Sequence, residues 1–400
     1  MINPLNPLSD QEIRNRLSAL QHRLENHHID GALIIQNVDL YYFSGMMQLG
    51  QMFVPQKGEP WIMIRKSLDR AKMDTPFPVE PMISSKELQK ELISRYGAIA
   101  RIGLELDVLP YNQVERLRKA LPDCQFIDIS GMIREIRMIK SAYEIDCLSR
   151  AAKIQDLALR KAIQLIPGGI REIDLAAAIE HELRSQGHIG VTRTRGFNQE
   201  LVLGAVISGP EASIPSYFDG PAGGTGLTTA APAGSGFSPI RPNEPILIDF
   251  CTCIDGYNFD QTRTAVWGEL DPDLHEAYSF SVAILREIER MAKPGITPES
   301  LYERALELVQ EWGLEQHFMG YGRNQAKFLG HGVGLEVDEL PVLAKGFTMP
   351  LQPGMTIAIE PKFTFPGRGI VGIENTYLVT SDGIKSMSVT SEELIRIPYK

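Results

Sequence analysis

Five residues of this 400-residue chain have the types and spacing for metal chemistry: Asp249, Asp260, His331, Glu360 and Glu374. Four are carboxylates, and four carboxylates gathered in a poorly solvated cleft repel one another strongly. Two divalent cations would relieve that conflict. His331, in the run Gly330-His-Gly-Val-Gly, offers a neutral imidazole on a backbone where glycines permit close approach. Oxygen-rich ligation with one nitrogen suits Mn, Co, Fe or Zn, with Mn the first expectation. The absence of ligand thiolates argues against a structural zinc knuckle. Two such ions hold a bridging water, lower its pKa and polarise a carbonyl, which is the apparatus of amide hydrolysis.

An internal repeat gives these side chains a reason to meet. A long helical pattern runs into Ile166-Pro-Gly-Gly and is followed by a second amphipathic stretch to Gln186-Gly187; the plan recurs around Lys293-Pro-Gly-Ile-Thr and ends at Trp312-Gly313. The Pro-Gly step stops one helix, and a Thr or acidic cap starts the next. Each helix pair precedes a matching strand. Pro242-Asn-Glu-Pro-Ile-Leu-Ile-Asp249 aligns with Pro353-Gly-Met-Thr-Ile-Ala-Ile-Glu360, and each ends on a carboxylate. Second carboxylate strands follow, at Asp260-Gln-Thr-Arg and Glu374-Asn-Thr-Tyr.

Asp255-Gly256 is a hairpin signal. A turn centred between Ile254 and Asp255 sets Asp249 opposite Asp260. Centring on Asp255-Gly256 makes them diagonal neighbours on the same face. The bend at Pro366-Gly-Arg-Gly369 sets Glu360 opposite Glu374. One carboxylate ending a strand is ordinarily a rim residue, but two repeat-related pairs with a glycine-flanked histidine are not.

The first 130 or so residues alternate helical and strand-like segments. Ile13 to Asn26 and Tyr111 to Leu121 have helical spacing; Gly31 to Ile35, Met52 to Pro55, Trp61 to Ile64 and Ile102 to Leu106 read as strands. No nucleotide-binding glycine fingerprint occurs. A basic stretch with Arg134, Arg137 and Lys140 precedes a long helical pattern, and we place the domain boundary there, giving domains 1–135 and 136–400.

Composition is that of a globular protein, 43% hydrophobic and 22% charged. A formal charge of −10 argues against nucleic acid or an anionic membrane as partner. Apolar runs are too short to span a bilayer, which takes about 20 residues. The opening segment lacks a basic stretch followed by an apolar one, and the four cysteines form neither a CxxC pair nor a disulfide framework, so the expected setting is cytoplasmic.

On these residues the chain resembles the pita-bread metallopeptidases of family M24: Xaa-Pro aminopeptidase, prolidase and methionine aminopeptidase. Ile29-Asp-Gly-Ala-Leu-Ile-Ile, Tyr41-Tyr-Phe-Ser-Gly45 and Ile136-Arg-Met-Ile-Lys-Ser-Ala-Tyr-Glu-Ile resemble the creatinase/prolidase N-terminal domain and its linker. Ile248-Asp-Phe through Asp255-Gly-Tyr-Asn-Phe-Asp-Gln-Thr-Arg matches the family's first ligand pair, and His331, Glu360 and Glu374 match the other three. The resemblance implies an α/β (α+β) chain, a creatinase-like domain followed by a pita-bread domain with a pseudo-two-fold repeat, assembled as a homodimer. It also implies that Glu360 both touches metal and acts as general base.

The sequence departs from the family at three positions. Asp338, in Gly334-Leu-Glu-Val-Asp-Glu, and Ser216, after Ser208-Gly-Pro-Glu-Ala-Ser-Ile-Pro, stand where histidines that contact peptide and relay protons are usual; Gly372 stands where an arginine is common. Asp338 is a candidate catalytic or amine-binding acid. Ser216 is a substrate-side position rather than a nucleophile. Arg193 and Arg195 are candidates to grip a substrate carboxylate. The glycine-rich run from Phe218 to Leu227 reads as a flexible lid. Cys251 and Cys253 share a strand face with Asp249, and the remaining histidines read as surface or helix residues.

The leading expectation is therefore a dinuclear exopeptidase of the Xaa-Pro type acting on short peptides. The second is a same-fold hydrolase of a small non-peptide C–N bond, of the creatinase or ectoine hydrolase type. The third is a pita-bread protein that only binds a partner.

Overall fold

The computed structural model describes residues 8–399. The chain divides into two compact units, one ending at Arg137 and the other starting at Met138.

The N-terminal unit is a mixed six-stranded sheet. Its strands are β1 (Gly31–Ile34), β2 (Gly50–Pro55), β3 (Trp61–Ile64), β4 (Val79–Pro81), β5 (Arg101–Leu104) and β6 (Gln125–Asp128), in the order β4-β3-β2-β1-β5-β6. The two central antiparallel pairs, β1–β2 and β2–β3, are flanked by parallel ones. All four residues of β1 and of β3 are buried, as expected of short apolar runs covered on both faces. Helices Asp10–Asn26, Ser85–Tyr96 and Tyr111–Ala120 turn Leu17, Leu20, Leu88, Leu92 and Leu117 inward. A buried ion pair, Arg137 to Asp39 at 2.6 Å, lies within this unit.

The C-terminal unit shows the repeat read from the sequence. Helices Ala142–Ala162 and Glu172–Ser185 precede β7 (Gly204–Ser208), β8 (Pro245–Ile254) and β9 (Tyr257–Trp267). Helices Pro272–Met291 and Pro298–Glu311 precede β10 (Phe328–Gly332), β11 (Glu339–Ala344), β12 (Thr356–Ile359), β13 (Lys362–Phe365), β14 (Gly369–Gly372) and β15 (Asn375–Val379). In each half an antiparallel strand borders a hairpin: β7 pairs β8, which pairs β9, and β10 pairs β12, which pairs β15. Two late strands, β16 (Ile384–Ser386) and β17 (Ile395–Ile397), extend the two sheets at β15 and β9. An apolar core gathers Leu274, Tyr278, Leu285, Leu301, Ile357 and Tyr377 where the second helix pair meets its sheet.

Turn chemistry fixes both registers. Asp255 and Gly256 hold φ values of 51° and 93°, the left-handed pair that a two-residue hairpin loop requires. Asp249 therefore faces Thr262 and Asp260 faces Cys251, the diagonal arrangement of the two considered above. In the second hairpin Lys362 faces Gly372 and Ile359 faces Asn375. Glu360 and Glu374 lie opposite each other in the short gap between those two ladders, and the Ile373 amide donates to the Pro361 carbonyl at 3.2 Å within it.

Candidate metal centre

The two hairpins are joined at the carboxylates themselves. The Glu374 amide donates to the Thr262 carbonyl at 3.1 Å, and the Thr376 hydroxyl donates to the Asp260 carbonyl at 2.8 Å. Thr262 Oγ1 donates to Glu374 Oε2 at 2.7 Å. Arg263, almost fully buried, gives its guanidinium protons to the carbonyls of Thr262 and Glu374 at 2.8 and 2.7 Å and to Asn375 Oδ1 at 2.9 Å. It holds the backbone of both hairpins in one frame, a positioning role that the Asp-Gln-Thr-Arg spelling alone did not disclose.

Asp260, His331 and Glu374 offer ligand atoms that all lie within 4.8 Å of one another. Glu360 joins them, its Oε1 lying 3.4 Å from His331 Nε2. The His331 Nδ1 faces the Gly332 carbonyl at 3.3 Å, which leaves Nε2 for the cluster. This donor set, three carboxylates with one imidazole, fits a borderline divalent ion.

One member of the cluster was not expected. Lys362, whose side chain is 0% exposed, sets its Nζ 2.6 Å from Glu360 Oε2, 3.3 Å from Glu374 Oε2 and 3.4 Å from Asp249 Oδ2. The lysine lies directly across the hairpin from Gly372, the position where the resemblance called for an arginine. A cation is thus present in this part of the hairpin, but it is carried by the opposite strand.

The charges set the protonation of the metal-free cluster. Burial, then Glu374 and Asp249, raise Asp260 well above the usual carboxylate range. Burial also pushes Glu374 up to about 7 against the opposing pull of Lys362. Burial opposes a charge on Glu360, yet Lys362 and His331 outweigh it and bring the carboxylate down to about 2. Burial opposes a charge on His331, yet Glu360 prevails and lifts the imidazole to about 10. Burial likewise opposes the Lys362 ammonium, and Asp249, Glu360 and Glu374 overcome it and raise the lysine well above its ordinary value.

The cluster forms the floor of a cavity of about 490 Å³. Asp249, Asp260, His331, Glu360 and Glu374 all line it, beneath apolar walls that include Leu201, Val202, Tyr217, Phe218, Phe328 and Val342. The glycine-rich segment supplies part of that wall, from Phe218 to Gly223. Ser216 also lines it, its hydroxyl accepting locally from the Phe218 amide at 3.3 Å. Asp338 lines it too, but its carboxylate is already engaged: it accepts from the Arg195 amide at 2.9 and 3.1 Å and from the Gly196 amide at 3.2 Å.

The two arginines stand apart from the wall. Thr194 reaches the cavity, whereas Arg193 and Arg195 do not line it, and the Arg195 guanidinium lies 3.7 Å from buried Glu336. Cys251 lines the cavity with a thiol raised well above normal by burial, so it is no ready thiolate ligand. His188, read from sequence with the surface histidines, is buried and accepts from the Cys253 amide at 2.8 Å; its only sequence cue was its place just past a helix-ending glycine.

Comparison with known proteins identifies the family. Residues 146–381 match Metallopeptidase family M24, and residues 16–139 match the Creatinase/Prolidase N-terminal domain. The chain belongs to the M24 metallopeptidase family. It is 31% identical to an Xaa-Pro dipeptidase of Pyrococcus horikoshii over 93% of this chain and 96% of that protein. The crystal structure of the prolidase from Pyrococcus horikoshii OT3 superposes with a TM-score of 0.79 at 28% identity, covering 95% of this chain and 100% of that one. The Xaa-Pro dipeptidase from Bacillus anthracis gives 0.82 at 25% identity, covering 96% and 100%. The creatinase-like domain followed by a pita-bread domain is thereby established. None of the helices among the described residues is long and apolar enough to cross a membrane.

Proposed function

We propose that this chain is a divalent-metal-dependent hydrolase that cleaves short Xaa-Pro peptides. The observation that carries the reading is the Asp260–His331–Glu374 group at the floor of the cavity, in a chain whose relatives include Xaa-Pro dipeptidases. Asp260, His331, Glu360 and Glu374 would hold a metal, with Mn the first expectation. A bound divalent ion supplies Lewis-acid polarisation of the peptide carbonyl and makes water a better nucleophile at neutral pH.

The remaining roles fall to the chain's own groups. Glu360, ionised and itself one of the metal-holding carboxylates, is the proposed proton acceptor; Glu360→Gln should lower kcat by about 10²–10⁴-fold, the usual worth of a general base. Apolar side chains of the cavity wall suit a prolyl ring and exclude water around it. Asp338 acts by fixing the 195–196 backbone beside the cavity, and Ser216 lies on the substrate side. Arg195 reaches substrate only if it leaves Glu336. A homodimer and a reducing, cytoplasmic setting remain part of this reading; four free cysteines support the second.

Hydrolysis of a small non-peptide C–N bond is the second reading. It is favoured by Ser216 and Asp338 standing where the resemblance calls for peptide-contacting histidines. A panel of Xaa-Pro dipeptides, longer Xaa-Pro peptides and small amides, offered to Mn-loaded protein, separates the two. Turnover of the dipeptides supports the peptidase; turnover of amides alone overturns it.

A further inference from the structure

We propose that Lys362 takes the place of a second metal ion, so that this chain holds one divalent cation on the His331 side of its carboxylate cluster and its own ammonium on the Asp249 side. The proposal rests on the metallohydrolase reading above and revises the number of ions expected from the sequence.

The ligand atoms divide in this way. Asp260, His331 and Glu374 converge within 4.8 Å, a grouping that includes neither Asp249 nor Glu360. Asp249 instead turns Oδ2 to the lysine at 3.4 Å. An ion on that side would compete with the ammonium for Asp249 Oδ2 and Glu374 Oε2, which already face Nζ at 3.4 and 3.3 Å. The strongest contact, 2.6 Å to Glu360 Oε2, holds the ammonium in the same place. An ammonium is a compact point charge with three donors, and here it meets three carboxylates.

The surroundings are shaped for this lysine. Its side chain is 0% exposed, so the head group has no solvent position to retreat to without the hairpin opening. Gly372 stands directly across, and a Cβ there would come within 2.6 Å of Lys362 Cγ and 2.7 Å of its Cα. A glycine is what lets the stem lie flat over the opposing strand. Charge does not by itself choose between one ion and two. Two divalent ions alone balance the four carboxylates; with the ammonium added they exceed them by one charge, whereas one ion with the ammonium falls one short.

The test is metal stoichiometry on the full chain. Protein stripped with a chelator is dialysed against excess Mn(II), its bound metal counted by mass spectrometry and its Mn(II) EPR spectrum recorded. The wild type is expected to hold about one ion with an uncoupled six-line spectrum. Lys362→Ala is expected to approach two ions with a spin-coupled spectrum. Two coupled ions in the wild type would overturn the proposal while leaving the hydrolase reading intact, and that result needs no variant to fold. One ion in a folded Lys362→Ala chain would also overturn it, because the lysine would not be what excludes the second. No bound ion in either protein would overturn both the proposal and the metal reading beneath it.

Discussion

Lys362 and Gly372 face each other across the second hairpin so closely that a methyl group on the glycine would sit 2.6 Å from the lysine's Cγ. The Gly372 amide and carbonyl are both tied to Thr264 Oγ1, at 3.1 and 2.7 Å, so the strand is not free to move aside. Gly372→Ala should therefore destabilise the C-terminal unit by about 1–3 kcal/mol, the ordinary cost of overpacking. Chemical denaturation followed by a signal from that unit measures it. An unchanged midpoint would show that the hairpin yields more readily than its hydrogen bonds imply.

Removing the imidazole should separate metal binding from folding. His331 is partly exposed and its ring meets only the Gly332 carbonyl and the Glu360 carboxylate, so His331→Ala leaves the sheets intact while deleting the single nitrogen donor. Mn(II) affinity should fall by ~100-fold or more, about 2.8 kcal/mol. Titration calorimetry on both proteins reads the difference, with circular dichroism as the control for structure.

Metal affinity should rise with pH. At pH 7 the metal-free cluster retains a proton on His331, raised to about 10, and a partial one on Glu374 near 7, and Asp260 is shifted upward in the same direction. A metal takes the deprotonated forms, so binding expels these protons, and raising the pH removes a competitor. Calorimetry in buffers of different ionisation enthalpy should report release of at least about one proton per ion at pH 7. Uptake, or no exchange, would contradict the charge arrangement.

Asp338 has a structural consequence that can be tested apart from catalysis. Its carboxylate accepts from two backbone amides, Arg195 and Gly196, and charged acceptors of this kind contribute roughly 1.5–3 kcal/mol each. Asp338→Ala should loosen this segment and speed tryptic cleavage after Arg193 and Arg195 severalfold, while Asp338→Asn, which keeps one acceptor oxygen, shows a smaller effect. Equal cleavage rates in all three proteins would remove Asp338 from loop ordering.

The five ligand candidates were legible because each carries a signal in the linear chain. Asp249 and Glu360 end matching strands, Asp260 and Glu374 follow recognisable turns, and His331 lies among glycines. Strand periodicity placed the pairs on common faces, and the turn at Asp255-Gly256 decided between two registers only once its left-handed backbone was seen. Lys362 carried no such signal. A lysine after a Glu-Pro step reads as a solvated strand residue, and burial of an ammonium is favourable only when several carboxylates surround it. The available cue was Gly372 in place of an arginine, which becomes informative once the bend at Pro366–Gly369 sets the two residues opposite each other. Arg195 is less legible: the sequence offers it as a carboxylate-gripping candidate or as part of an exposed turn, whereas its guanidinium lies 3.7 Å from buried Glu336.

We propose this cluster as the metal centre of an Xaa-Pro peptidase. Proline release from an Xaa-Pro dipeptide, measured on chelator-stripped protein, on the same protein after Mn(II) is restored, and on Mn-treated His331→Ala, tests it most directly. Hydrolysis is expected only from the restored wild type. Comparable hydrolysis by the stripped protein or by His331→Ala, or none by the restored wild type on any Xaa-Pro peptide, would contradict it.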